Sequence, residues 1–274
     1  MATQPVALMF TAFPKLRRRW GRYVAAYLRA KGYVVVRKAK TPPRHLGRYS
    51  QVVIWNGGPP AARRMARRAR RARIPVAFVE VGFFPQRTHW MLSRHGSIGG
   101  HLFRGEDFPD NTAEDEAYLR DFFAGYAAGR QATTDGGIVG MLQLAQDYAI
   151  RQHSLFRTMQ QFVNVAEAQW PTIRFRPHPR EPRPRIKTRN PLLRRASLWD
   201  DVLPAKLIVG VNSTSLYEAV LAGKTVVPLG DTPLVRHDHR SVVREILRRQ
   251  IPKTETCLIA EIDQRVFRSL SRSF

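Results

Sequence analysis

The sequence predicts an α/β protein built from two Rossmann-like halves. Short apolar runs of the kind that form buried parallel strands alternate with segments whose apolar residues recur at helical spacing. Turn residues at 133–137 (TTDGG) interrupt this alternation, and the same order of strand and helix then begins again. We therefore expect an N-terminal domain at 1–133 and a C-terminal domain at 134–274.

The first half contains four predicted strands and three predicted helices. Its strands are apolar runs without alternation, which is typical of strands buried on both faces of a parallel sheet. The first helix carries its apolar residues on one face, and Gly32 follows it as a terminating residue. The predicted strands are 6–10, 33–36, 51–55 and 74–81, and the predicted helices are 15–31, 60–73 and 113–130.

The second half repeats this order and ends in two helices. Gly223 ends the helix of a predicted strand–helix–strand unit at 207–230. Prolines interleaved with arginines from 177 to 195 exclude regular structure, so we expect an exposed basic loop there. The predicted strands are 138–145, 173–178, 207–211 and 225–230, and the predicted helices are 153–168, 214–222, 240–249 and 260–271.

Charge is the unusual feature of the composition. Among 274 residues, 46 Lys and Arg oppose 21 Asp and Glu, which gives a formal net charge of +25 at pH 7. This exceeds the net charge that keeps a small domain soluble, and it indicates a polyanionic partner. Nucleic acid is the first candidate, and an anionic membrane surface or an acidic polysaccharide is the second. Arginine spread evenly over the surface is the alternative, and the clustering of the arginines argues against it.

Other features bear on the location of the protein and on redox chemistry. No apolar run approaches the ~20 residues that span a bilayer. Residues 1–12 place no basic segment before their apolar stretch, so they predict a first strand rather than a signal peptide, and we expect a cytoplasmic protein. The single cysteine, Cys257, has no disulfide partner within the chain, and we expect a buried structural thiol.

A candidate phosphate site follows the predicted strand at 207–211. Asn212, Ser213 and Thr214 are residue types that favour a helix N-terminus. Free backbone N–H groups and the helix dipole attract an anion at such a terminus. Glu218 lies four residues further along, where it would accept hydrogen bonds from ribose hydroxyls. A capped helix without a ligand is an equal alternative on this segment alone.

Arg174, Arg176 and His178 occupy alternate positions at the end of a predicted strand. Alternate residues project to one side of a strand, so we expect the three side chains to form one cationic group. Such a group suits a phosphate on which negative charge develops as it leaves. A basic edge strand with a solvated histidine is the alternative. Since ligands bind at the carboxyl ends of parallel strands, this group and the Asn212 segment are expected to converge.

Four motifs occur in a specific order between residues 75 and 230. They are E-x-G-x-x-P-Q at 80–86, Q-x-x-x-D at 143–147, R-x-H-P at 176–179 and N-S-T…E-A…G-K…V…G at 212–230. In combination they resemble the capsule polysaccharide biosynthesis proteins, a family that includes Kdo transferases of the GT-B type.

The resemblance implies a GT-B-like fold, in which two Rossmann-like domains face a cleft. It also implies sugar transfer from a nucleotide-sugar donor, with no cofactor and no D-x-D metal motif, and this sequence contains no D-x-D. The donor site would lie in the second domain, at His178, Asn212, Ser213 and Glu218, and the first domain would present the acceptor. The sequence departs from the family at Ser93, where the family has an Asp, so that catalytic residue is not carried over.

Glu80 and His178 are the catalytic candidates. Glu80 ends a hydrophobic strand at a loop, and we expect it to face the sugar or to activate the acceptor hydroxyl. A buried structural glutamate is the alternative. Gln143 and Asp147 join the predicted donor site, and Asp147 is placed to line the cleft between the domains.

Clustered arginines in the first half predict the acceptor surface. Four of them recur at helical spacing and form a cationic stripe suited to a phosphate backbone. Trp90, with Phe83 or Phe84, is expected to stack on an extruded base, and core packing is the alternative. Gln86 completes the predicted acceptor-binding set. The arginines are Arg17, Arg18, Arg19, Arg63, Arg67, Arg70 and Arg71.

Three hypotheses for function follow. The basic surface favours a hydroxymethylated pyrimidine base in DNA as the acceptor, as in enzymes that hypermodify bacteriophage DNA. The family points instead to capsule or lipopolysaccharide synthesis at the cytoplasmic membrane face, where a basic surface binds anionic lipid. The third hypothesis is a non-catalytic nucleic-acid-binding protein on a GT-B scaffold, and sugar-nucleotide binding would argue against it.

Overall fold

The computed structural model describes residues 4–12, 20–86, 88–93, 95–96, 99–133, 136–193 and 197–252. The chain divides into two compact units. Unit 1 comprises Met1–Arg104 and Ile246–Phe274, and unit 2 comprises Gly105–Glu245. Both contain parallel strands and helices, so the predicted α/β class is confirmed. The predicted helix at 260–271, Cys257, Arg17, Arg18 and Arg19 lie outside the described residues.

Six strands form the sheet of unit 1. Four were expected from their apolar runs and are parallel: β1 (Val6–Thr11), β2 (Val34–Ala39), β3 (Gln51–Trp55) and β4 (Val76–Val81). Two were not expected, β5 (His89–Ser93) and β10 (Gln250–Pro252), and they pair antiparallel. The strand order is β10-β5-β4-β3-β1-β2.

A buried amide ties β10 to the turn that follows β4. The Oε1 atom of Gln250 accepts hydrogen bonds from the N–H groups of Phe83 and Phe84, at 3.2 and 3.0 Å. Its Nε2 atom donates to the Phe84 carbonyl at 2.6 Å. Since a buried polar group must find partners, these bonds account for Gln250 at this position and for the return of the chain to unit 1.

Trp90 does not lie in an exposed loop as predicted, and its ring is not presented to solvent for stacking on an extruded base. It belongs to β5, is 8% exposed, and packs edge-on against Trp55 with ring centroids 5.1 Å apart. Phe83 and Phe84 are buried as well. Burial of these rings contributes to the core, since each aromatic side chain removes a large apolar area from water. Gln86 is exposed.

Two helices of unit 1 carry the predicted amphipathic patterns. Helix α1 (Trp20–Ala30) buries Val24, Ala25 and Leu28. Helix α2 (Pro60–Arg71) begins at a proline, which lacks the N–H that would be unpaired there, and buries small or flexible side chains. Its outer face is cationic and has no acidic residue to pair with along the helix. Arg63, Arg64, Arg67, Arg70 and Arg71 are exposed.

Unit 2 has four parallel strands in the order β7-β6-β8-β9. They are β6 (Ile138–Met141), β7 (Arg174–Arg176), β8 (Leu207–Gly210) and β9 (Thr225–Pro228), all within the predicted ranges but shorter. Gly140 in β6 meets the Phe175 ring of β7. A Cβ atom at residue 140 would lie 2.4 Å from that ring, so only glycine allows this packing.

The described helices of unit 2 are α3 (Ala113–Tyr126), α4 (Tyr148–Gln152), α5 (Met159–Gln169), α6 (Trp199–Val202), α7 (Thr214–Leu221) and the first part of α8 (His239–Arg249), whose last four residues belong to unit 1. Helix α5 begins later than predicted, because Thr158 and Gln161 form a capping box that sets its first turn. No described helix is both long and apolar enough to cross a bilayer.

The units do not divide at 133, where the turn residues suggested a boundary, because α3 belongs to unit 2. It packs against α7, and its first turn is held by α8. Arg240 donates to Glu116 at 2.6 and 2.8 Å. The buried Arg244 pairs with Asp115 at 3.1 Å and donates to the carbonyls of 109 and 110.

Replacing Arg244 by Met is expected to destabilise the protein by about 3–5 kcal/mol, because Asp115 and Glu245 would remain as buried carboxylates without their cation. Urea denaturation measures this loss. Arg248→Met removes the same charge from an exposed position of the same helix and should cost less than about 1 kcal/mol. Equal losses in the two variants would contradict the role of Arg244.

Candidate functional site

The topology of the unit 2 sheet marks a place where ligands bind. From β6 the chain moves to β7 on one side, and it later returns to β8 on the other side. In parallel α/β sheets such a switch point leaves a crevice at the carboxyl ends of the two central strands. Gln143 follows β6 and Asn212 follows β8, so both belong to this crevice.

The predicted residues Gln143, Asp147 and Asn212 meet there and bond to one another. The Gln143 amide donates to Asn212 Oδ1 at 2.9 Å and to Asp147 Oδ2 at 3.2 Å, and it accepts from the Asn212 N–H at 3.1 Å. Asn212 also donates to the Ala149 carbonyl at 3.0 Å. Asp147 is the N-cap of α4 rather than the end of a strand. These side chains therefore hold the loop after β6 and the loop after β8 together.

The predicted helix N-terminus is present at α7. Ser213 is its N-cap, and the Ser213 Oγ accepts from the Ser215 N–H at 3.3 Å. Thr214 is the first helical residue and is half-buried. The N–H groups of the first turn and the helix dipole make this end of α7 favourable for a phosphate.

Glu218 lies one turn into α7, on the same face as Thr214. The Tyr126 hydroxyl donates a hydrogen bond to its Oε1 atom at 2.7 Å. Burial raises the pKa of Glu218 to about 7, while the Tyr126 hydrogen bond and the charge of Arg176 act in the opposite direction. Glu218 therefore changes charge near neutral pH, which few glutamates do.

Arg176 connects Glu218 to a buried acid that the sequence analysis did not identify. It forms an ion pair with Asp201, whose side chain is fully buried, and is itself largely buried. Arg174 is exposed, so the cationic group expected from alternate strand positions is divided. Asp201 balances the charge of Arg176, and Arg176 in turn lowers the free energy of the ionised Glu218.

His178 follows β7 and is half-buried. Burial and the nearby Arg180 lower its pKa, against the opposing charges of Asp147 and Glu181, so the uncharged ring is favoured. Its Nδ1 atom accepts from the Arg180 N–H at 3.1 Å. A neutral ring that accepts at Nδ1 carries its proton at Nε2. His178 therefore presents an N–H donor, which suits an anionic oxygen better than proton abstraction.

Aromatic side chains surround the Tyr126–Glu218 pair. Trp199 contacts the Tyr126 ring edge-on at 5.6 Å, and Phe122 lies 5.8 Å from it. The sequence signal was the aromatic spacing at 118, 122 and 126, which places three rings on one helix face. This spacing did not lead to a donor-site prediction, because the helix at 113–130 was expected in the N-terminal domain and the donor site in the C-terminal domain.

Apart from the arginines of α2 and those outside the described residues, the predicted residues of unit 1 lie on or between β4 and β5. Glu80 is half-buried near the end of β4, and its Oε1 accepts from the Val81 N–H at 2.9 Å. Ser93, at the position where the family has an Asp, is buried at the end of β5. Its Oγ accepts from the N–H groups of His95 and Gly96, both at 3.3 Å, so this serine closes a turn.

Solved structures are similar to this chain, among them two Kdo transferases. One is the Thermosulfurimonas dismutans KpsC, beta Kdo 2,7 transferase, with a TM-score of 0.61, 15% identity, and coverage of 90% of this chain and 92% of that chain. The other is the Thermosulfurimonas dismutans KpsC, beta Kdo 2,4 transferase, with a TM-score of 0.59, 16% identity, and coverage of 84% and 81%. At this identity the likeness shows the fold alone. No family model matches the chain, and no curated protein matches it.

Replacing Tyr126 by Phe is expected to raise the pKa of Glu218 above about 7. The hydroxyl stabilises the ionised carboxylate, and a hydrogen bond to a charged group contributes about 1.5–3 kcal/mol, which corresponds to about one pH unit or more. A ¹³C NMR titration of the Glu218 carboxyl carbon, assigned with Glu218→Gln, measures the midpoint. Tyr118→Phe, at an exposed position of the same helix, should leave it unchanged. A lower midpoint in Tyr126→Phe would contradict the hydrogen bond.

Proposed function

We propose that this protein is a glycosyltransferase that moves a sugar from a nucleotide-sugar donor to a hydroxyl of an acidic, capsule-type glycan. The observation that carries the proposal is the placement of Glu218. It lies about 6 Å, one helical turn, from the α7 N-terminus and on the same helix face. A nucleotide would place its phosphate at the N-terminus and its ribose hydroxyls at Glu218.

The charges of the site support departure of a phosphate. As the bond to the sugar breaks, negative charge grows on the phosphate oxygens. The N–H donor of His178 and the N-terminus of α7 offer hydrogen bonds to this charge. Arg176 contributes a positive charge near Glu218. Because its guanidinium group is already paired with Asp201, we assign it no direct contact with the phosphate.

The fold likeness supports a glycan acceptor over DNA. The similar structures are named as Kdo transferases, and Kdo is a sugar acid. The hypothesis of a DNA-base acceptor came from the basic surface, and the aromatic residues expected to assist it by stacking, Trp90, Phe83 and Phe84, are buried. Glu80 stays our prediction for the carboxylate that activates the acceptor hydroxyl, and the exposed arginines of α2 suit an anionic membrane surface.

Mass spectrometry tests this function directly. We would incubate the protein with a panel of nucleotide sugars and either acidic oligosaccharides or hydroxymethylated duplex DNA. We expect one donor to add its sugar mass to an oligosaccharide and none to add mass to DNA.

Glu218→Gln should raise the KM for that donor by about 10-fold or more, since a hydrogen bond to a charged group contributes about 1.5–3 kcal/mol. Glu114→Gln, at an exposed position of α3, is the matched control and should leave KM unchanged. Transfer to DNA alone, or an unchanged KM in Glu218→Gln, would contradict the proposal.

A further inference from the structure

Unit 2 contains a second polar groove that shares no residue with the candidate donor site. It has a volume of about 900 Å³. Gln160, Asn164 and Glu167 of α5 form one wall, and residues 185–189 of the proline- and arginine-rich segment form the other. This volume is at the upper end of the range of about 300–1,000 Å³ that small-molecule pockets span, and the groove is open to solvent along its length.

Cationic side chains follow this segment at every second residue. Arg185, Lys187 and Arg189 are exposed, whereas Ile186 and Thr188 between them are half-buried. The segment is not a strand and bends at Arg185 and Arg189. It presents three exposed cations within five residues, and we call these three side chains the cationic row.

The cationic row is fixed to α5 through its own backbone. The Gln160 side chain accepts from the Lys187 N–H at 2.7 Å and donates to the Lys187 carbonyl at 2.9 Å. Glu167 accepts from the Arg189 N–H at 2.6 Å. Because these bonds hold the backbone in place, a ligand would not have to order the segment, and binding costs less entropy.

Glu167 does not cancel the positive charge of the row. Its side chain is 8% exposed, and it is engaged by the Arg189 backbone and, at 4.0 Å, by the Arg189 side chain. Three cations thus oppose one buried carboxylate. Asn164 and Thr188 also line the groove. Asn164 Oδ1 accepts from Gln160 and the Thr188 hydroxyl donates to the Asn190 carbonyl, which leaves the Asn164 NH₂ to donate and the Thr188 oxygen to accept hydrogen bonds from sugar groups.

We propose that this groove binds a chain of an acidic polysaccharide, with sugar carboxylates on Arg185 and Lys187 and sugar hydroxyls on Asn164 and Thr188. Single-stranded nucleic acid is disfavoured because such sites stack bases on aromatic side chains, and none of the described residues that line the groove is aromatic. The link to catalysis, as a site that holds the acceptor glycan, rests on the proposed function. The binding of an acidic glycan to this groove does not depend on the proposed function.

The test is direct binding of oligogalacturonate, a carboxylated glycan, measured by calorimetry at physiological salt without any donor. The variant Arg185→Gln/Lys187→Gln should weaken binding by about 10-fold, which corresponds to about 1.4 kcal/mol. The control variant Arg120→Gln/Lys206→Gln removes two charges from exposed positions of unit 2 outside the groove and should change affinity by less than about 2-fold. A neutral oligosaccharide of the same length should bind more weakly than oligogalacturonate.

Equal losses in the two variants would overturn the proposal, because they would mean that overall charge alone attracts the glycan. An oligothymidine that binds more tightly than oligogalacturonate, and that loses affinity in Arg185→Gln/Lys187→Gln, would assign the groove to nucleic acid instead. Oligogalacturonate binding through Arg185 and Lys187 in a protein that transfers no sugar would uphold this inference and contradict the proposed function.

Discussion

The candidate site depends on the cost of burying the Glu218 carboxylate. A buried charge without partners is unstable, so its neighbours must supply a donor and an opposite charge. Tyr126 provides the donor and Arg176 the charge, and Asp201 balances Arg176 in turn. Three separate elements, α3, β7 and α6, must therefore pack around α7. This requirement explains why α3 belongs to unit 2 and why Arg244 anchors its first turn from inside the protein.

The hydrogen bonds between the loops after β6 and β8 also position α7. Gln143 and Asn212 join the loops after β6 and β8, and Ser213 then begins α7 directly after Asn212. The direction of α7 is thus set by side chains that the motifs contain. We infer that these motif residues act by positioning the helix, while the helix N-terminus, Glu218 and the Nε2–H of His178 face the ligand. The alternating cations of the cationic row are held in a similar way, through backbone bonds to α5.

The sequence predicted the features that depend on local pattern. Buried parallel strands appear as apolar runs, and the N-cap of α7 appears as Ser213, so the α/β class and the position of α7 followed. Features set by distant partners did not follow. The Tyr126–Glu218 bond joins residues 92 positions apart, and β10 pairs with β5 across most of the chain. The sequence does not show whether Trp90 is exposed or buried, because its burial depends on packing against Trp55, which is distant along the chain.

A crystal structure of the protein with a bound nucleotide or nucleotide sugar tests the central claim most directly. Our account predicts that the phosphate lies against the first turn of α7, within hydrogen-bond distance of the N–H groups near Thr214. It also predicts that a ribose hydroxyl donates to Glu218 beside Tyr126. A nucleotide ordered elsewhere in the molecule, with Glu218 beyond hydrogen-bond distance of it, would contradict the account.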